Sequence, residues 1–299
     1  MDAVALERAE ARLLKASEAP WLHWEVARRM AERLSIVKTR PRVVLDWGAR
    51  LGGGRSALQA AYHPAADRAD RPDILPVEPA TWPSAARLKS HGSPWWSLER
   101  WRSSSVPPLA PAKVETGSAQ LVWSNMTLHG QADPAAVFSQ WHRALAVDGF
   151  LMFSTLGPGT LPELRDLYAA RGWGPPMAPL VDMHDLGDML VAAGFADPVM
   201  DQELIVLTWP SAQAALDELR SLGANVDPRR CAGLRTPRWR SRLLQALEEQ
   251  RQQRDDERVA LTFEVAYGHA FRPAARARVA PEARVDLVDF QAMARQRRR

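Results

Sequence analysis

The sequence predicts an α/β fold built on a doubly wound, mostly parallel sheet, and three stretches carry that prediction. Val43–Trp47 is a short apolar, β-branched run that breaks into Gly48-Ala49-Arg50-Leu51-Gly52-Gly53-Gly54, while Ala119–Asn125 and Phe150–Ser154 are apolar runs that end in polar residues. Strands buried on both faces read as continuous apolar runs, and their alternation with helical segments indicates parallel pairing through helical crossovers. A glycine-rich turn after the first strand lets a ligand approach bare backbone. Alone it reads equally well as a plain tight turn, since it spells neither the dinucleotide nor the phosphate-loop pattern.

Taken in order, residues 1–40 form a helical segment. Within it Leu22, Val26, Met30 and Leu34 share one face, with Arg and Glu opposite, as expected of a helix packing on a sheet edge or covering a cleft. Trp21 and His23 read as packing and surface groups. After the glycine turn, Arg55–Tyr62 has helical character until His63-Pro64 stops it. Asp73–Val77 reads as the next strand, although Pro76 cannot donate in a central ladder, and it ends at Glu78. An acidic residue roughly 20–30 positions past such a turn is placed to accept both hydroxyls of a ribose. Its other reading is a helix-start charge ahead of Pro83. Trp95, Trp96 and Trp101, among Ser and Pro, give no clear element and read as a lid or an eroded strand and helix.

Beyond Asn125, Asp133-Pro134 supplies an N-cap and first-turn proline to a helix whose apolar face is Val137, Phe138, Trp141 and Leu145. Asp148-Gly149 turns into the strand at Phe150. Thr160-Leu161-Pro162-Glu163 reads as a capping box, with Thr160 as N-cap and Glu163 reaching back to it. A further helix runs from Asp182 to a left-handed cap at Gly194, followed by two strands near 198–203 and 204–209. Ser211 caps a helix to Leu222, Thr236-Pro237 caps another to about Gln253, and Val259–Tyr267 alternates as a final strand. The expected division is a main α/β domain over 41–210, a C-terminal α+β extension over 211–271, and a basic tail over 272–299.

Composition narrows the class. With 46% hydrophobic and 25% charged residues in 299, the chain has the balance of a soluble globular protein. A single cysteine, Cys231, excludes an intramolecular disulfide and a cysteine-built zinc site, which fits a cytoplasmic location, and the seven histidines are scattered without metal-ligand spacing. The segment before Ser17 lacks the apolar core of a signal peptide, and no apolar span of about 20 residues is long enough to cross a membrane. The net charge is +4, and all basic residues except Lys15, Lys38, Lys89 and Lys113 are arginine. The densest run, Arg295–Arg299, reads as a solvated tail rather than a nucleic-acid patch.

Val44-Leu45-Asp46-x-Gly48, Val77-Glu78, Leu121–Asn125, Trp141-x-Arg143-x-Leu145 with Gly149-x-Leu151-x-Phe153, and Leu161-Pro162-Glu163-Leu164 resemble successive landmarks of class I S-adenosylmethionine methyltransferases. Leu219–Asn225 and Leu261–Gly268 are most similar to the malonyl-acyl-carrier-protein O-methyltransferases of biotin synthesis. The resemblance spans roughly 28–271 and implies a Rossmann-like domain, S-adenosylmethionine as cofactor, a carboxyl or similar oxygen as methyl acceptor, and an acidic acyl carrier protein as partner. It departs from the family pattern at Arg50, which stands at the middle glycine, at Gln120 for the usual acid, and at Gly130 for the usual aromatic.

On that resemblance Asp46 supports the cofactor loop, Gly48 and Gly52 form it, Glu78 holds the ribose, and Asn125 lines the cleft beside the methyl. Arg50 admits two uses: a block to the cofactor, costing about 1–2 kcal/mol if the position demands a positive φ, or a partner for the cofactor carboxylate. The corresponding functions are a methyltransferase and, as the alternative, a non-catalytic assembly or regulatory protein that keeps the fold. No acid or base is assigned, because methyl transfer chiefly needs in-line positioning and a dry cleft.

Overall fold

The computed structural model describes residues 1–62 apart from Ser17, 71–79, Trp82, 107–252 apart from Ala232 and Leu234, and 254–274. The tryptophans at 95, 96 and 101 and the tail beyond 274 lie outside the described residues. Helices α1 (Ala3–Leu13) and α2 (Trp21–Arg33) lead into strand β1 (Val43–Trp47), a single helical turn α3 (Ala49–Gly52) and helix α4 (Arg55–Tyr62). Strands β2 (Asp73–Val77) and β3 (Ala119–Ser124), helix α5 (Pro134–Ala144), strand β4 (Leu145–Leu156) and helices α6 (Pro162–Ala170) and α7 (Met183–Ala192) follow. Strand β5 (Ala196–Trp209), helices α8 (Ala212–Leu222) and α9 (Pro237–Gln252) and strand β6 (Val259–Phe271) complete the order.

One six-stranded sheet has the order β2-β1-β3-β4-β6-β5. Its first four strands are parallel, and β6 lies antiparallel between β4 and β5. The sheet carries two apolar cores, one on each face. On one face Leu22, Val26 and Met30 of α2 pack with Trp123, Met152 and Phe263 and with Leu243 and Leu247 of α9. On the other, Phe138 and Trp141 of α5 pack with Phe153 and with Leu186 and Leu190 of α7. Both helices present the faces their periodicity predicts. Pro76 is accommodated because β2 is the outermost described strand, joined on its far side only by the bridge to Leu109.

Three expectations are corrected. The two strands anticipated between 198 and 209 are one, β5, paired with β6 along its whole length. Thr160 does not cap α6: Leu161 occupies the N-cap position at φ 54 with no side-chain bond to the helix. The Thr160 hydroxyl instead donates to the Glu264 carbonyl and accepts from its amide, both at 3.1 Å, and the Glu163 carboxylate accepts from the amide and hydroxyl of Thr262. The capping-box residues therefore fasten α6 to β6. Finally, the strand of the C-terminal extension is an inner member of the main sheet, so a boundary at 210 separates α8 and α9 from the sheet but not β6. Among the described residues no helix is long and apolar enough to cross a membrane, and no side-chain cluster could hold a metal ion.

Candidate cofactor and acceptor cavity

The carboxyl ends of β1, β2 and β3 lie side by side, where ligands bind in open α/β sheets. Chain reversal after β1 begins at Gly48, whose φ of +75° is left-handed and whose amide donates to the Val77 carbonyl at 2.8 Å. A Cβ there would stand 2.7 Å from Thr127 Cγ2, so only glycine fits. Where the sequence suggests an open glycine loop, the next residues coil into the single turn α3. Gly52 donates back to the Gly48 carbonyl at 2.9 Å, and Gly53 closes the turn at φ +66°.

Arg50 lies inside that turn and is not among the residues with positive φ, so the anticipated strain is absent. Its amide donates to Glu78 Oε1 at 3.2 Å and its Nε to Glu78 Oε2 at 2.7 Å. Its guanidinium stands 5.7 Å from the centroid of the Trp82 ring. The sequence brings Arg50 and Glu78 together only through the fold: one sits just after β1, the other just after β2. Glu78 is 5% exposed, and the two bonds leave about half of its lone-pair sites for other donors.

Asp46 is buried beneath the turn, with Oδ2 free of any hydrogen-bond partner among the described residues. Burial pushes its carboxyl up to about 7, with Glu78 adding to the shift and Arg55 opposing it. Asn125 is 1% exposed, and its side chain is spent internally. Its Nδ2 donates to the carbonyls of His23 at 2.8 Å and Gly52 at 2.6 Å, and its Oδ1 accepts from the Ser154 hydroxyl at 2.8 Å. The expected position lining the cleft is thus replaced by one behind it, where Asn125 joins α2, the glycine turn and β4. Gly52 allows this approach, because a Cβ on it would meet the Asn125 carbonyl oxygen at 2.6 Å.

In front of the turn lies a cavity of about 630 Å³. Trp47, Gly48, Leu51 and His129 line its sheet side, whereas Leu219, Trp239 and Leu243 line it from α8 and α9. Leu6, Ala9 and Leu13 of α1 supply a further wall. That helix is tied at both ends to the segment following β5: the Asp2 amide donates to the Val226 carbonyl at 2.9 Å, Asp2 pairs with Arg230 at 2.7 Å, and Arg12 donates to the carbonyls of Arg220 and Gly223.

Sequence reading missed His23 and His129 as cavity residues. His23 Nδ1 bonds the Leu51 carbonyl at 2.7 Å, whereas His129 Nδ1 has no partner among the described residues. Burial holds His23 down near 4 and His129 near 3, so both rings are neutral at physiological pH. The available signal was position alone: His129 follows the end of β3 by a few residues, where such sheets present their ligand contacts.

No family model matches the chain. It is 39% identical over 276 residues to the malonyl-(acyl-carrier protein) O-methyltransferase of Laribacter hongkongensis, covering 90% of this chain and 89% of that protein. It is 36% identical over 281 residues to the protein of the same name from Gallionella capsiferriformans, covering 92% and 93% respectively. The YcgJ protein of Bacillus subtilis superposes with a TM-score of 0.51 at 10% identity, over 82% of this chain and 98% of that one, which is a likeness of fold alone.

Proposed function

Since the chain belongs to the malonyl-(acyl-carrier protein) O-methyltransferase family, we propose that it transfers the methyl group of S-adenosylmethionine to the free carboxylate of a malonyl thioester on an acyl carrier protein. The observation that carries this reading is the continuity of the cavity from the left-handed Gly48 turn to the walls of α8 and α9. One cavity therefore adjoins both the strand ends that would hold a nucleoside and the helices that distinguish this chain's C-terminal part.

The residues present fit the cofactor. Gly48 allows close backbone approach, Glu78 retains lone pairs for a ribose diol, and the unpartnered Asp46 Oδ2 supplies an acceptor beneath the turn. When bound, the cofactor supplies a sulfonium methyl that a carboxylate oxygen takes with its own electron pair, the sulfur keeping the pair of the broken bond and no proton moving. A carboxylate acceptor is ionised at neutral pH, so the protein needs no general base for it. The work left to this chain is positioning and exclusion of water. Leu6 and Leu13 of α1 and Leu219 and Leu243 of the opposite helices provide apolar cover.

An acidic carrier protein fits the outside of the same wall. From Pro228 to Leu247 the chain carries no Asp or Glu, and Arg238, Arg240 and Arg242 are exposed on the first half of α9. Such a one-signed surface steers an oppositely charged partner.

Calorimetric titration with S-adenosylhomocysteine, followed by mass spectrometry of malonyl-carrier protein incubated with enzyme and cofactor, tests the reading. Micromolar binding and a methylated carrier support it. Absence of both refutes it and returns the chain to the non-catalytic alternative.

A further inference from the structure

On the wall of the cavity built by α6 and α9, Arg235 has no ion-pair partner among the described residues. Arg235, just before α9, is half-buried and lines the cavity beside Tyr168 and Trp239. Its guanidinium is fixed twice: Nη2 donates to the Trp173 carbonyl at 2.7 Å, and the plane lies 4.3 Å over the centre of the Trp239 ring. Tyr168, Trp173 and Trp239 in turn brace one another edge to face, with centroids 5.4–6.1 Å apart. The side chain is thus held in one orientation before any ligand arrives, which cuts the entropy cost of using it.

A guanidinium withdrawn from water ordinarily meets a carboxylate. Among the described residues none is bonded to Arg235. The acids that line the cavity are engaged elsewhere: Trp82 Nε1 donates to Glu10 at 3.2 Å, and Gln213 Nε2 donates to Asp217 at 2.6 Å. Neighbouring Arg229 and Arg230 differ in this respect, being paired with Asp227 and Asp2. The Tyr168 hydroxyl beside it stays protonated and able to donate, because burial raises it more than Arg235 lowers it.

We propose that Arg235 receives the free carboxylate of the malonyl group and so sets acceptor specificity, an inference that rests on the function proposed above. A guanidinium binding one carboxylate oxygen leaves the other oxygen's lone pairs for the methyl group. The clamp also separates substrate from product. Methylation converts the anion to a neutral ester, which removes the charge that Arg235 holds and favours release. By the same reasoning an acetyl thioester, which lacks the carboxylate, gains nothing from Arg235. The cofactor carries a carboxylate too, and the experiment separates the two sources.

The full-length protein saturated with S-adenosylhomocysteine is titrated calorimetrically with malonyl-carrier protein and with acetyl-carrier protein, as wild type, Arg235→Gln and Arg235→Lys. The expected result is a loss of malonyl-carrier affinity by about thirtyfold in Arg235→Gln, with acetyl-carrier and S-adenosylhomocysteine affinities unchanged. Arg235→Lys, which keeps the charge but not the planar fork, should lose about three- to tenfold. If Arg235→Gln proves poorly folded by thermal melting, the lysine variant carries the comparison alone. Weakened S-adenosylhomocysteine binding would assign the guanidinium to the cofactor and overturn the proposal, as would equal weakening of both carriers or no change in either. Failure of the wild type to bind S-adenosylhomocysteine would sink the methyltransferase reading and the clamp with it, whereas a working wild type with an indifferent Arg235→Gln sinks the clamp alone.

Discussion

Replacing Asn125 by alanine removes the side chain that holds three segments together. Its amide donates to two backbone carbonyls, of His23 and Gly52, and its oxygen accepts from Ser154, all at 2.6–2.8 Å in a site 1% exposed. Three hydrogen bonds at about 1 kcal/mol each, with part of the desolvation cost of partners left unmade, put the loss at about 3–5 kcal/mol. Urea denaturation of wild type and Asn125→Ala should therefore show a lower midpoint at unchanged slope. Addition of saturating S-adenosylhomocysteine should raise both curves without closing the gap between them. Asn125→Asp should restore little, because a carboxylate offers at most one proton to two carbonyls. A stability loss under about 1 kcal/mol, joined to a large loss of ligand affinity, would refute this reasoning and put the side chain in the cleft after all.

Other substitutions test the glycine turn. Arg50→Gly should lower stability by about 2–3 kcal/mol, since it breaks a largely enclosed ion pair with Glu78 and places glycine in a helical turn. S-adenosylhomocysteine affinity, measured by calorimetry, should fall severalfold as Glu78 loses the guanidinium donor and keeps only the backbone amide at position 50, and a rise would show that Arg50 competes with the ligand. Asp46→Asn should flatten the dependence of stability on pH. The folded pKa of Asp46, about 7, lies above its unfolded value of 3.8, so its favourable contribution is complete below about pH 4 and is lost as pH rises to about 7. Across that window the wild type should lose on the order of 4 kcal/mol relative to the variant, read from denaturation at several pH values.

Much of the sheet was legible because its signals are local. β1, β3 and the faces of α2 and α5 follow from runs and periodicities that a buried parallel sheet imposes. β5 was divided in two for a physical reason. Met200 packs on the core of α5 and α7, whereas Ile205 and Trp209 pack on the opposite core, so the alternation changes phase partway along a continuous strand. A phase change looks like a turn in sequence. Thr160 and Glu163 have the right residue types for a local cap, but β6, about a hundred residues later, offers backbone and hydroxyl donors that win the competition. The site followed the same division. The placement of Gly48 at the turn after β1 and of two acids at strand ends was legible, while the pairing of Arg50 with Glu78, the internal bonding of Asn125 and the approach of Arg235 to the cavity depend on segments that meet only in three dimensions.

The insertion of β6 between β4 and β5 has a consequence for how the chain is made. β5 touches the sheet only through β6, so at the moment a ribosome has delivered β5 that strand has no partner, and β4 presents an open edge. Both edges wait until synthesis has passed Phe271, and such late, long-range strand pairing is slow and exposes aggregation-prone surface. A nonsense mutation or proteolytic cut anywhere between Pro210 and Val259 would thus leave far more than a missing segment. It would leave a four-stranded sheet with an open edge at β4 and an unpaired β5, a species suited to chaperone capture or to misassembly with its own copies.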